Sequence, residues 1–224
     1  MFTSDSEIQQ AVLRELKWDT RVEETEVGVE VDSGVVTLTG TVSSFGKRIA
    51  AQEAAHRVGA VLDVANDISV KVPGTSGPND TELAAAVRRA LEWDVFVPEK
   101  RIRSTVSAGW VTLDGDVDYW SQREDAQRVI GNLTGIRGLT NKIEVVPLKG
   151  QAIPNEVKRA IEHALERHAL REAKHIEIDM KDGRVVVSGV VHSWREKDAV
   201  IGAAKGTVGV RGIEDHLRIE PYAG

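Results

Sequence analysis

The feature that most constrains this chain is that its sequence repeats three times. Residues 34–42 read GVVTLTGTV, residues 109–117 read GWVTLDGDV and residues 183–191 read GRVVVSGVV, with leading glycines 75 and 74 residues apart. Pro73, Pro147 and Pro221 close the three units at a spacing of 74. The openings match as well: EIQQAVLRELKWD (7–19), ELAAAVRRALEWD (82–94) and EVKRAIEHALERH (156–168). A period this long indicates repeated small domains, since solenoid turns recur over roughly 20–50 residues. The 224 residues therefore divide into units at 1–73, 79–147 and 153–222, joined by linkers at 74–78 and 148–152. Both joints bear proline or glycine, as short linkers do.

Each unit reads as α-β-β-α-β. Ile8, Val12, Leu13 and Leu16 recur at helical spacing, as do Leu83, Ala86, Val87 and Leu91. Ser4 or Asp5, and Asp80 or Thr81, are the N-cap candidates. Alternating runs follow, Val27-x-Val29-x-Val31 and then Val36-x-Leu38, across a turn at Asp32-Ser33-Gly34. In the third unit Lys181-Asp182-Gly183 makes the hairpin signal. Helices rich in small residues come next, KRIAAQEAAHRV, QREDAQRVIGNL and REKDAVIGAAKG, each leading to a last strand. The expected fold is α+β, with a small three-stranded mixed sheet per unit, a right-handed crossover and both helices on one face. Units of about 70 residues bury limited cores, so the three are expected to pack on one another. Their short sheets also leave edges on which repeats or chains could pair.

The glycine and asparagine pattern resembles the BON domain. The first copy carries Gly34-Val35-Val36-Thr37-Leu38-x-Gly40, then Gly59 and Val64-x-Asn66-x-Ile68-x-Val70. The second carries Gly109-Trp110-Val111-Thr112-Leu113-x-Gly115, then Gly135-Ile136-x-Gly138-Leu139-x-Asn141-x-Ile143-x-Val145. The third keeps Gly183, Gly189 and Gly209-Val210-x-Gly212-Ile213, with Asp215 in place of asparagine. The resemblance implies a bacterial protein of the αββαβ fold with no catalytic residues. It also implies an association with osmotic and envelope stress and a binding role toward anionic phospholipid surfaces or a protein partner. Many such proteins are periplasmic or attached to the outer membrane. Some cytoplasmic relatives bind potassium, which makes ion or small-ligand sensing the alternative. The opening MFTSDSEIQQAV has no basic and apolar leader, so the expected location is the cytoplasm, or the periplasm if a leader has been trimmed.

Composition excludes several chemistries. No cysteine is present, which removes disulfides, thiolate metal sites and cysteine nucleophiles. The formal net charge of −6 argues against general nucleic-acid binding. That charge is graded: residues 1–74 carry 7 cations and 12 anions, 75–148 carry 9 and 11, and 149–224 carry 13 and 12. An anionic partner for the third unit is therefore not opposed. No apolar run is long enough to span a bilayer.

Candidate positions follow from the repeat register. Gly34, Gly109 and Gly183 sit where a tight turn needs positive φ. Gly40, Gly115 and Gly189 fall inside the second strand, where a helix packed tightly over the strand is the expected cause. Five and eight residues beyond each strand glycine stand an aromatic and a cation: Phe45 with Arg48, Trp120 with Arg123, Trp194 with Lys197. At a helix start, such a pair could hold an anionic headgroup against unpaired N–H groups. The competing account is a hydrophobic staple, with the aromatic closing its own helix onto its own core and the cation in solvent. Trp18 and Trp93 end the first helix of two units where the third has Arg167. They are interface candidates, or they pack on the helix–loop junction.

No cofactor, metal or catalytic site is expected. His163, His168, His175, His192 and His216 crowd the third unit without ligand spacing, and His163 and His168 are five apart rather than four. Asp114, Asp116, Asp118 and Asp125 imitate a calcium loop, but Tyr119 stands where that loop needs glycine.

Overall fold

The computed structural model describes residues 4–72, 77–146, 176–181 and 183–221, together with Asn155, Lys158, Arg159 and His163. The first repeat runs α1 (Asp5–Trp18), β1 (Val27–Asp32), β2 (Val35–Val42), α2 (Phe45–His56), β3 (Asp63–Asn66) and β4 (Ser69–Val70). The second runs α3 (Asp80–Trp93), β5 (Ile102–Ser107), β6 (Trp110–Val117), α4 (Trp120–Gly131), β7 (Gly138–Asn141) and β8 (Glu144–Val145). Of the third, β9 (Ile176–Lys181), β10 (Arg184–Val191), α5 (Trp194–Lys205) and β11 (Gly212–Ile219) are described. Arg167, His168 and His175 lie outside the described residues, as do Asp182 and linker 148–152.

The α+β expectation holds in all three repeats. Each sheet centres on the strand after the hairpin, antiparallel to the strand before it and parallel to the last. One correction concerns strand count. In the first two repeats the last strand is broken, so that β3 and β4 both pair β2, and β7 and β8 both pair β6. Asn66 and Asn141 stand at the breaks, where Ile68 N donates to Asn66 Oδ1 and Ile143 N to Asn141 Oδ1. The third repeat makes the same turn, Leu217 N to Asp215 Oδ1 at 3.0 Å, without losing its ladder, so the turn alone does not set the break. In the third repeat β11 runs unbroken against β10 for eight residues. The three sheets stay separate, so among the described residues repeats do not pair through strand edges.

Two local devices hold the first and second repeats together. Ser4 caps α1 in a reciprocal box with Glu7, and α3 is capped in the same way by Asn79 with Glu82, not by Asp80 or Thr81. The aspartates after the caps reach the hairpin instead. Ser33 N and Gly34 N donate to the Asp5 carboxylate at 2.9 Å each, and Ala108 N and Gly109 N to Asp80 at 2.7 and 2.9 Å. These turns have positive φ at both central residues, 52° and 80° in the first repeat and 51° and 79° in the second. That is the two-residue turn whose twist suits a hairpin.

The strand glycines answer to a different neighbour than expected. A Cβ on Gly40 would stand 2.1 Å from the Glu26 carbonyl oxygen, and one on Gly115 would stand 2.1 Å from that of Arg101. The crowding comes from the single helical turns at Glu24–Glu26 and Glu99–Arg101 that deliver the chain to β1 and β5. No packed helix causes it. Gly189 shares the backbone geometry, with φ at 132° beside 123° and 133° for the other two.

Each repeat has its own core. Ile8, Val12 and Leu16 of α1 meet Val36, Leu38 and Val42 of β2 and the alanine face of α2 at Ala50, Ala51, Ala54 and Ala55. Leu83, Val87, Leu91, Leu113, Val117, Ala126 and Ile130 repeat the arrangement, and Val185, Val187, Val191, Val200 and Ala204 do so in the third. At roughly 1.5–3 kcal/mol per fully buried large aliphatic side chain, these faces hold the helices on the sheet.

Candidate functional site

Of the aromatic residues that begin the second helices, Phe45 and Trp194 leave their own cores, and Trp120 packs on its own core and on the next. Each packs against the core of the next repeat, and the order closes on itself. Phe45 packs on the second core, Trp120 on the second and third, and Trp194 on the first. The contact is head to tail. α2, α4 and α5 are each twelve residues long, with the aromatic at position one. Its neighbour is position twelve of the following helix. A Cβ on Gly131 would meet Phe45 Cδ1 at 3.7 Å. Lys205 Nζ stands 5.9 Å from the Trp120 ring centroid. His56 stacks on Trp194 at 3.9 Å between centroids, with the planes 10° apart. A heterologous contact of this kind makes either a filament or a ring, and here it closes at three. The expectation that the repeats pack on one another is met through this ring.

The cations do not point to solvent. Arg48 donates to the Asn66 carbonyl at 2.7 Å. Arg123 donates to those of Asn141 and Ile143 at 2.9 and 3.0 Å. Lys197 donates to the Leu217 carbonyl at 3.3 Å and pairs with Asp215 at 2.8 Å. Thus each cation ties its helix to the last strand, and where that strand is broken the guanidinium takes up carbonyls at the break. Arg123 and Lys197 also lie 5.2 Å from the centroids of Trp120 and Trp194. Burial pulls the Arg123 guanidinium below its ordinary range. The indole Nε1 atoms of Trp120 and Trp194 are buried without a hydrogen-bond partner, the cost of seating these rings between repeats. The sequence paired each aromatic with a cation, but it carried no sign of the core that would receive the ring.

Where α2 and α4 face each other, with Lys205 beside them, lies a cavity of about 560 Å³ lined by Arg21, Phe45, Glu53, Arg123, Gln127 and Lys205 among others. Its charges compensate one another: Arg21 pairs with Glu53 at 2.9 Å, and Lys205 with Glu124 at 2.7 Å.

The other candidates, Trp18 and Trp93, are not folded onto a helix–loop junction. Their residues are 80% and 90% exposed. Beyond Trp93 the surface continues through Val95 and Phe96, 88% and 68% exposed. A groove of about 790 Å³ opens between α3 and α4, lined by Ala90, Trp93, Val95, Phe96, Val129 and Leu133. Arg89 and Arg128 border it. Around Trp18 the equivalent positions are occupied by ion pairs. Asp19 receives Arg21 at 2.8 Å and Arg57 at 2.9 Å, Arg57 also meets Glu15 at 2.9 Å, and Arg21 bridges to Glu53. The Arg21 guanidinium holds the Asp19 carboxyl well below the usual carboxylate range.

The decoys resolve plainly. Asp116 and Asp118 pair with Arg101, and Asp125 with Arg128. Among the described residues no group of His, Asp and Glu is arranged to hold a metal ion. Among the described residues no helix is long and apolar enough to cross a membrane.

Comparison with known proteins agrees with this architecture. The profile of the BON domain matches residues 4–72, 79–147 and 155–221. Osmotically-inducible protein Y of Escherichia coli (strain K12) is 28% identical over 149 residues, 64% of this chain and 73% of that protein. An uncharacterized protein encoded in the gshII 5' region of Anaplasma centrale is 30% identical over 119 residues, 51% of this chain and 79% of its own. Among solved structures, CdsD, a structural protein of the type III secretion system of Chlamydia trachomatis, aligns over 96% of this chain and 92% of its own at 13% identity, with a TM-score of 0.27. With three matches in tandem that together span nearly its whole length, the chain belongs to the BON-domain family.

Proposed function

We propose that this is a non-enzymatic, stress-associated binding protein that contacts anionic phospholipid surfaces through the tip of its second repeat. The stress association is supported by family membership and by the likeness to osmotically-inducible protein Y. The non-enzymatic reading is supported by how the polar groups beside the central cavity are used, since they are paired with one another.

The observation that carries the reading is the exposed run Trp93, Val95 and Phe96. Apolar side chains at a helix end gain about 25 cal/mol per Å² removed from water. An indole ring is suited to the headgroup level of a bilayer. Arg89 at the border adds attraction of about 1 kcal/mol near an anionic surface. Trp18 offers a second, narrower anchor. The six positions at the starts of the second helices contribute indirectly, by fixing the repeats so that the tip is presented from a rigid ring.

Vesicle flotation tests this. The intact chain should float with vesicles rich in phosphatidylglycerol and remain in the bulk with phosphatidylcholine alone, and Trp93→Ser with Phe96→Ser should reduce the bound fraction at least tenfold. Equal flotation of the double variant would sink the proposal. A thermal shift specific to potassium over sodium, without flotation, would favour ion sensing instead.

A further inference from the structure

The three junctions of the ring are equivalent in position but not in chemistry. Position twelve is Gly131 under Phe45, Lys205 under Trp120 and His56 under Trp194. Only the junction of the first and third repeats thus places an imidazole face to face with the incoming ring. From this stacked, half-buried contact we infer that the His56–Trp194 junction is an acid-sensitive latch: protonation of His56 releases the third repeat from the first while the other two junctions stay closed.

The surroundings of His56 are unequal in their effect. Burial between the two repeats opposes the imidazolium and outweighs the carboxylates that favour it. Those are Asp198 on α5, Asp63 on β3 and Glu53 on α2 itself. The same indole already carries the Lys197 ammonium 5.2 Å from its centroid, so a charged His56 adds a second cation to one ring. The net result holds the imidazole below its ordinary value of 6.5. A group lowered in the closed state binds its proton more readily once released. The closed junction is therefore favoured above the ordinary imidazole range, and that preference is lost as pH falls through it. One proton limits the change in the open-to-closed ratio to tenfold per pH unit.

The chain has five tryptophans, so the full-length protein labelled with 5-fluorotryptophan presents five fluorine signals, with Trp194 assigned by its loss in Trp194→Phe. Between about pH 8 and about pH 5, the Trp194 signal should move to an exposed position and gain a solvent isotope shift, while that of Trp120 holds. His56→Phe keeps an aromatic face without a titrating group and should hold Trp194 closed throughout. His56→Gln should give a spectrum independent of pH, and it decides the matter if the phenylalanine variant does not fold. The latch is refuted by a Trp194 signal that stays put in the wild type, or by the same transition persisting in either variant.

Discussion

The tips of the first and second repeats share a helix, a final tryptophan and the aspartate after it, yet they meet solvent in opposite states. Four positions make the difference. Glu15, Arg21, Glu53 and Arg57 of the first repeat correspond to Ala90, Phe96, Arg128 and Asn132 of the second. In the first, two arginines converge on Asp19, whose side chain is only 7% exposed, and bridge on to Glu15 and Glu53. In the second, Asp94 accepts only the Phe96 amide and a long contact from Arg128, and Phe96 is left in water. A common frame therefore carries a sealed, charged tip in one copy and an open, apolar one in the next. The membrane contact proposed above rests on these few tip positions, which change while the frame is kept.

The frame itself sets the largest expected effect and should not distinguish the repeats. Gly40→Ala and Gly115→Ala each press a methyl group into a carbonyl at a positive φ, and each should cost about 4 kcal/mol, read as similar falls in the melting temperature of the intact chain. Unequal falls would mean that the two frames are not equivalent.

The sealed tip comes next. Asp19→Asn leaves two arginines facing a neutral group and should cost about 2 kcal/mol, against about 1 kcal/mol for Asp94→Asn. Because Arg21 lowers the Asp19 carboxyl in the folded state, its stabilisation is present above the ordinary carboxylate range and is lost as pH falls through the lowered value. The gap between wild type and Asp19→Asn in thermal melts should therefore narrow as pH drops from about 6 to about 2. A gap independent of pH would show that the lattice does not work through charge.

The smallest effect in free energy is the most specific. Ala90→Glu, Phe96→Arg, Arg128→Glu and Asn132→Arg together write the first tip onto the second. Vesicle binding should fall about tenfold, near 1.4 kcal/mol, with the melting temperature preserved. Retained binding would move the contact away from this groove.

Much of the frame was legible because it is local. Helical spacing at Ile8, Val12 and Leu16 and alternation through Val27, Val29 and Val31 state which face is buried, and Ser33-Gly34 states a turn. The break at Asn66 and Asn141 was concealed by the alternation around it, and the side-chain turn there gives no sign of it, since Asp215 makes the same turn in an unbroken strand. Trp18 and Trp93 stand out in the sequence as a difference between repeats, but their exposure could not be read from it. Whether a helix end is covered depends on what the rest of the chain leaves beside it.

The sequence by itself determined three copies of one αββαβ unit, because spacing, turn chemistry and glycine geometry act within a few residues of where they are written. Only the tertiary structure decided that Phe45, Trp120 and Trp194 reach the core of the next repeat and close a ring, and that Arg48, Arg123 and Lys197 bind backbone carbonyls of the last strand. The physical reason is that apolar burial has no direction of its own. A ring at a helix start is stabilised by whichever core lies within reach, and that core is chosen by how three separately folded units meet.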